Sequence, residues 1–176
     1  HEKMIVVFGV EDRLGEEGRT RAQAITREFG KDFFRFLVTV HPANLPGEIA
    51  GKGSNETWAV KEAKREIIDP LGIPYENIIV TSLDADTVVF PKYFSCLAYH
   101  YVTSLDPLHH SYQPVPLFIN NIWQASAPSR LFAFATTFWF LMNQERPEKL
   151  STFSSHSMPF KTLVEVGYRQ VNYAVD

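Results

Sequence analysis

The chain is predicted to be an α/β protein with a mainly parallel sheet. Short β-rich apolar runs alternate with helical patterns, and the clearest runs lack polar alternation, as strands covered on both faces do. Residues 4–10, MIVVFGV, form the first such strand, and Glu11 and Asp12 follow at its carboxyl end. Residues 16–29 read as a helix with acids in its first turn and Gly30 as its stop. Residues 33–40 are the second strand.

A Pro- and Gly-rich loop, HPANLPGEIAGKGSN, fills 41–55, and loops of this length inside a compact domain are usually functional or mobile. A helix is predicted over 56–68, and Pro70, Gly72 and Pro74 break the chain after it. Residues 77–82, NIIVTS, are the third strand, which delivers LDADT. Pro91 opens a helix reaching 104. The polar stretch 105–111 carries His109 and His110, read as a surface pair. Residues 112–119 look extended, with Pro114 and Pro116 marking an edge or irregular strand. An aromatic-rich helix covers 128–144. A polar turn at 151–158, a helix at 159–165 and a short strand ending at Asp176 complete the chain. That strand ends abruptly, and the first begins almost at residue one. The expectation is one domain over 1–176, a fragment of a longer protein.

Bulk properties bound the function. With 45% hydrophobic and 21% charged residues, the 176-residue chain can form a globular core. A net charge of −3 speaks against general nucleic-acid binding, which favours basic chains. It leaves room for a nucleotide whose phosphates are neutralised by a divalent ion. Cys96 is the single cysteine, so neither an internal disulfide nor a cysteine-rich zinc site can form, and a reducing cytoplasm is the natural compartment. Its apolar helical setting predicts a buried structural thiol. No secretory signal pattern is visible. The longest apolar run, 131–142, is shorter than the about 20 residues a bilayer requires. It is read as a buried helix, with a helix lying against a membrane surface as the alternative. Trp123 and Trp139 are expected in the core. Trp58, near the Lys52 loop and at a helix start, is the better stacking candidate, with a place in the core as its default reading.

Chemistry concentrates at strand ends, where open parallel sheets bind ligands. Glu11 and Asp12, Asp84 and Asp86, and Asp176 all fall at such ends. On an extended backbone, residues i and i+2 point the same way, so Asp84 and Asp86 can present two hard oxygen ligands to one Mg²⁺ or Mn²⁺. The bland alternative is two solvated loop aspartates capping a turn. Lys52, within the Gly51–Asn55 stretch GKGSN, can meet a phosphate at a helix start, although the spacing is neither a P-loop nor a dinucleotide fingerprint. The alternative is a flexible loop with Ser54 or Asn55 as helix cap. Ser154, Ser155, His156 and Ser157 lack a nucleophile elbow and fit a polar substrate-contacting turn.

Taken in order, these segments resemble family 2 glycosyltransferases, the GT-A fold group that includes cellulose, chitin and hyaluronan synthases and many bacterial sugar transferases. IVVFGVED looks like that fold's second strand, GKGSNETWAVKEA like its loop and helix, and IIVTSLDADTVVFPKYF like the strand bearing its D-x-D motif. SSHSMPFKTLVEVGY is similar to the segment before the acceptor site, and F-S-S-H-S-M-x-F-K points to a bacterial membrane-associated subgroup. The resemblance implies that Glu11 or Asp12 contacts the base and Lys52 lies near the nucleotide. It implies that Asp84 contacts ribose or metal and Asp86 coordinates Mg²⁺ or Mn²⁺. His156 and Ser157 would line the sugar or acceptor side. Asp176 falls at or one residue before the family's general base.

The implied reaction is inverting transfer from a nucleotide-diphosphate sugar, with a UDP-sugar as donor, to a sugar or lipid-linked acceptor. The implied setting is the cytoplasmic face of a membrane, reached through segments outside this chain. Two family features, the P-x-Y-N-E type first strand and the Q-x-x-R-W helix, are absent from the sequence, so this fragment is expected to be inactive by itself. The alternatives are a nucleotidyltransferase on a related fold, and a non-catalytic nucleotide-sugar-binding domain.

Overall fold

The computed structural model describes residues 2–48, 51–146 and 155–168. The chain is mixed α/β and divides into two compact units. One comprises the residues up to Asn77 together with those from Leu163. The other runs from Ile78 to Thr162.

The first unit is built on two parallel strands, β1 (Ile5–Glu11) and β2 (Arg35–His41). They pair in continuous register from Ile5 opposite Arg35 to Glu11 opposite His41. Between them runs α1 (Gly15–Phe29), and after β2 comes α2 (Lys52–Ala63). Small residues decide which face each helix takes. A Cβ on Gly18 of α1 would come within 3.0 Å of Cγ1 of Val10, and Ala22, one turn on, is buried. The α1 helix therefore lies on the Val10 side of the sheet. A Cβ on Gly9 would stand 2.9 Å from Oδ1 of Asn55 in α2. Adjacent strand residues face opposite ways, so α2 covers the other side. Ser54, Thr57, Ala59 and Ala63 are its buried residues, all small enough for close approach.

The predicted helix over 56–68 starts earlier than expected and changes character. A five-residue π-helical turn, Lys64–Ile68, follows α2, with Asp69 N–H donating to Lys64 O at 2.9 Å. The wider turn accompanies burial of two consecutive isoleucines, Ile67 and Ile68. Beside it Lys64 Nζ meets Asp69 Oδ2 at 2.6 Å, and the Tyr75 hydroxyl donates to Asp69 Oδ1 at 2.6 Å. These bonds, that from Lys64 first, hold Asp69 below the usual carboxylate range, and the one to Asp69 holds Lys64 above its ordinary value.

In the second unit β3 (Ile79–Ser82) pairs antiparallel with β4 (His156–Pro159), from Ile79 opposite Pro159 to Ser82 opposite His156. The expected mainly parallel sheet is thus corrected among the described residues. One pair is parallel, the other antiparallel, and they form separate two-stranded sheets. The segment predicted as a polar turn at 151–158 ends in β4, because its last residues supply ladder partners that the short β3 requires. The expected strand at 112–119 reduces to a single bridge of Tyr112 with Ser157, since the prolines at 114 and 116 have no N–H for a ladder.

The unit also holds α3 (Tyr93–Thr103) and α4 (Ala127–Asn143), and α5 (Phe160–Glu165) follows β4. Phe160, Pro159 and Ser157 are its most deeply enclosed side chains. Four expectations of burial fail here, those for Cys96, Trp123 and Trp139 and that of a buried helix over 131–142. Cys96 is exposed on α3, where Leu97 and Tyr101 take the inward positions. Trp123 and Trp139 are exposed, and α4 buries only Phe140. No described helix is long and apolar enough to cross a membrane.

Candidate functional site

Parallel pairing brings the last residues of β1 and β2 side by side, and both carry ionisable side chains. His41 Nδ1 lies 3.3 Å from Glu11 Oε2, and His41 Nε2 lies 3.0 Å from Glu48 Oε2. The imidazole is almost fully enclosed, its side chain 4% exposed, while the two carboxylates keep partial access to solvent. A neutral imidazole has one N–H and one lone pair, so hydrogen bonds to both carboxylates require one further proton in the triad. Trp58 closes the group with its ring edge-on to His41, centroids 5.8 Å apart. Arg13 reaches Glu11 Oε2 at 3.9 Å from the solvent side.

The first turn of α2 lies over the same strands. Asn55 meets the flat surface left by Gly9. Its Oδ1, and Oγ1 of the Thr39 residue paired with Gly9, are both enclosed without a hydrogen-bond partner among the described residues. Lys52 begins the helix and sits 3.7 Å from Glu56 in an i, i+4 ion pair. Asp12 stands in a short 3₁₀ turn (Asp12–Leu14) and is paired with Arg19 at 2.9 Å, both well exposed. The salt bridge and the Asp12 charge hold the Arg19 guanidinium above its ordinary value. Glu11, Asp12 and Lys52 therefore share one unit, and the structure adds His41, Glu48, Asn55 and Trp58 to them. The missed residues carried a signal. His41 ends the second strand, and parallel register sets it opposite the acid that ends the first.

The remaining predicted residues belong to the second unit or lie outside the description. β3 ends at Ser82, and residues 84–87 form a turn closed by Thr87 N–H donating to Asp84 O at 3.0 Å. The extended backbone assumed for Asp84 and Asp86 is replaced by this turn, so parallel presentation of the two carboxylates does not follow from strand geometry. Asp86 is exposed and Asp84 half-buried. The Asn120 side chain donates to the Asp86 carbonyl at 3.3 Å. Among the described residues, no three Asp, Glu, His or Cys side chains gather into a metal-holding group. Two aspartates on one turn still supply the hard oxygens that Mg²⁺ or Mn²⁺ prefers, and such ions commonly take only one or two protein carboxylates beside phosphate and water.

His156 and Ser157 are buried in β4 rather than displayed on a turn. Ser157 is wholly enclosed, its hydroxyl 2.9 Å from Thr81 Oγ1 and its backbone bonded both ways to Tyr112. Here it fastens β4 to its neighbours. His109 and His110 are exposed, as expected of a surface pair, and bond separately to Asp106 and Ser104. Asp176 lies outside the described residues.

The chain matches no protein-family model, no curated protein and no solved structure.

Proposed function

We propose that this chain is the donor-binding part of an inverting glycosyltransferase that takes a nucleotide-diphosphate sugar, with a UDP-sugar as first choice, on the cytoplasmic face of a membrane. The observation that carries the reading is the carboxyl edge of β1 and β2. Glu11 stands there, its side chain 14% exposed and oriented by His41, beside a 12-residue helix that begins at Lys52. A carboxylate of this kind can accept hydrogen bonds from the N–H of a base. A lysine at a helix start offers positive charge to a phosphate beside the positive end of the helix dipole. The ordered sequence likeness to family 2 glycosyltransferases supplies the rest of the reading.

In that role Glu11, oriented by His41, binds the base, with Asp12 beside it, and Lys52 meets the diphosphate. Asp84 and Asp86 hold Mg²⁺ or Mn²⁺, which offsets the charge that builds on the departing nucleoside diphosphate. His156 and Ser157 belong to the sugar or acceptor side. Asp176, or the residue after it, removes the proton of a sugar or lipid-linked acceptor hydroxyl.

Isothermal titration with UDP-sugars is the test. Binding should require Mn²⁺ or Mg²⁺ and disappear in Asp86→Ala. Metal-independent binding of equal affinity in that variant would refute the reading. Turnover of a nucleoside triphosphate with a sugar phosphate by the full-length protein would assign it to the nucleotidyltransferases instead.

A further inference from the structure

The α4 helix is turned inside out. Its inward positions are Ala133, Thr136, Thr137, Phe140 and Asn143, spaced as one helical stripe. Three of these five are polar. Thr137 Oγ1 donates to the carbonyl of Pro116 at 3.4 Å, and Asn143 Nδ2 is enclosed without a hydrogen-bond partner among the described residues. The outward positions include Leu131, Phe132, Phe134, Phe138, Trp139 and Met142, each between 53% and 74% exposed. At about 100° per residue these side chains span roughly 160° of the helix circumference. A helix bathed in water has the opposite arrangement.

The charge pattern says what covers this face. Residues 107–144 contain no Asp or Glu and one full positive charge, Arg130, in a chain that otherwise holds 20 acids. Arg130 lies at the edge of the apolar arc, in the first turn of α4, and is exposed. An anionic headgroup layer repels acids and attracts cations near the surface. Trp123, 84% exposed just before the helix, and Trp139 within it are of the type enriched where hydrocarbon meets water. The 17 residues of α4 are about 25 Å long, and no described helix is long and apolar enough to span a bilayer. The matching geometry is a helix lying in the plane of the interface.

We infer that the outward face of α4 docks on an anionic lipid bilayer surface, with Leu131, Phe134, Phe138 and Trp139 entering the acyl boundary and Arg130 meeting headgroup phosphates. This contact lies within the chain, in addition to any made by segments outside it, and it does not depend on the sugar-transfer reading.

The test is co-sedimentation of the full chain with vesicles of phosphatidylcholine plus phosphatidylglycerol, and of phosphatidylcholine alone. Tryptophan emission reports insertion. Binding should be stronger to the mixed vesicles and should shift the emission to the blue. Phe134→Ser combined with Phe138→Ser should lower the partition coefficient at least about tenfold. Both side chains are exposed, so the thermal transition should stay in place and confirm that the variant folds. Absence of binding to either vesicle would overturn the inference, as would binding that the double variant leaves unchanged or that phosphatidylglycerol does not strengthen. Self-association abolished by the double variant, without vesicle binding, would assign the face to a second copy of the chain.

Discussion

His41 Nδ1 stands 3.3 Å from Glu11 Oε2, across the paired ends of two parallel strands. The ring fixes where the Glu11 carboxylate points, and Glu48 fixes the ring from its other nitrogen. Replacing His41 by Ala would leave two partly buried acids facing a void. A destabilisation of about 1–3 kcal/mol is expected, the usual result of stranding a buried hydrogen-bonding group. Urea unfolding of His41→Ala against the parent chain measures it. A change below a few tenths of a kcal/mol would show that the triad contributes nothing to folding.

Gly9 is required by the approach of Asn55. Gly9→Ala would put a methyl 2.9 Å from the Asn55 amide oxygen, and Asn55 must then move. The expected cost is about 1 kcal/mol, at the lower end for overpacking because the obstacle is a side-chain tip. Asn55→Ala should remove most of that cost, with a coupling of at least about 0.5 kcal/mol in a double-mutant cycle. Strict additivity would mean that the strain lies elsewhere.

Lys52 is expected to contribute to affinity rather than to folding. Lys52→Ala should change the unfolding midpoint little, because its i, i+4 ion pair with Glu56 is long, at 3.7 Å, and partly solvated. On the proposed function it should weaken nucleotide-sugar binding by about tenfold, the scale of one charge-assisted hydrogen bond. Titration calorimetry of the two proteins separates these effects.

Much of the first unit was legible in the sequence because both of its strands are continuous apolar runs and its helices have clear punctuation. The parallel pairing, the position of Glu11 and the helix after the glycine-rich loop all follow from that. Burial in the second unit was not legible. Periodicity reports how apolar a helix is, and α4 is so apolar that its facing cannot be read from pattern alone. The Thr136, Thr137 and Asn143 stripe becomes meaningful only once its direction is known. Ser157 misled for a related reason. A run of serines looks like a turn, yet a strand can enclose a small hydroxyl when a partner such as Thr81 lies opposite. Likewise, Asp84 and Asp86 follow a strand in sequence, but the strand ends too early to orient them.

The Thr81 and Ser157 pair gives its own prediction. Ser157→Ala should cost about 1 kcal/mol, since Thr81 Oγ1 loses its partner in an enclosed site. Adding Thr81→Val should recover part of the loss, because the orphaned hydroxyl is then gone. Thermal unfolding of the single and double variants decides it.

The Lys64, Asp69 and Tyr75 cluster predicts a pH response. The Asp69 carboxyl is held below its ordinary value, so its stabilising effect is present above the ordinary carboxylate pKa and is lost as pH falls through the lowered one. Lys64 is held above its ordinary value, so its effect is present below the usual lysine pKa and is lost as pH rises through the raised one. Carboxyl-carbon NMR should show the Asp69 midpoint moving up toward the free value in Lys64→Met. An unmoved midpoint would mean that the ammonium is not the main cause.

The exposed position of Cys96 makes the chain chemically addressable at one point. A maleimide dye or a nitroxide should attach to α3 alone, without any cysteine having to be engineered away. The same accessibility leaves the thiol open to air oxidation. Preparations kept without reductant should accumulate covalent pairs of molecules joined through α3, resolved on a non-reducing gel and abolished by Cys96→Ser.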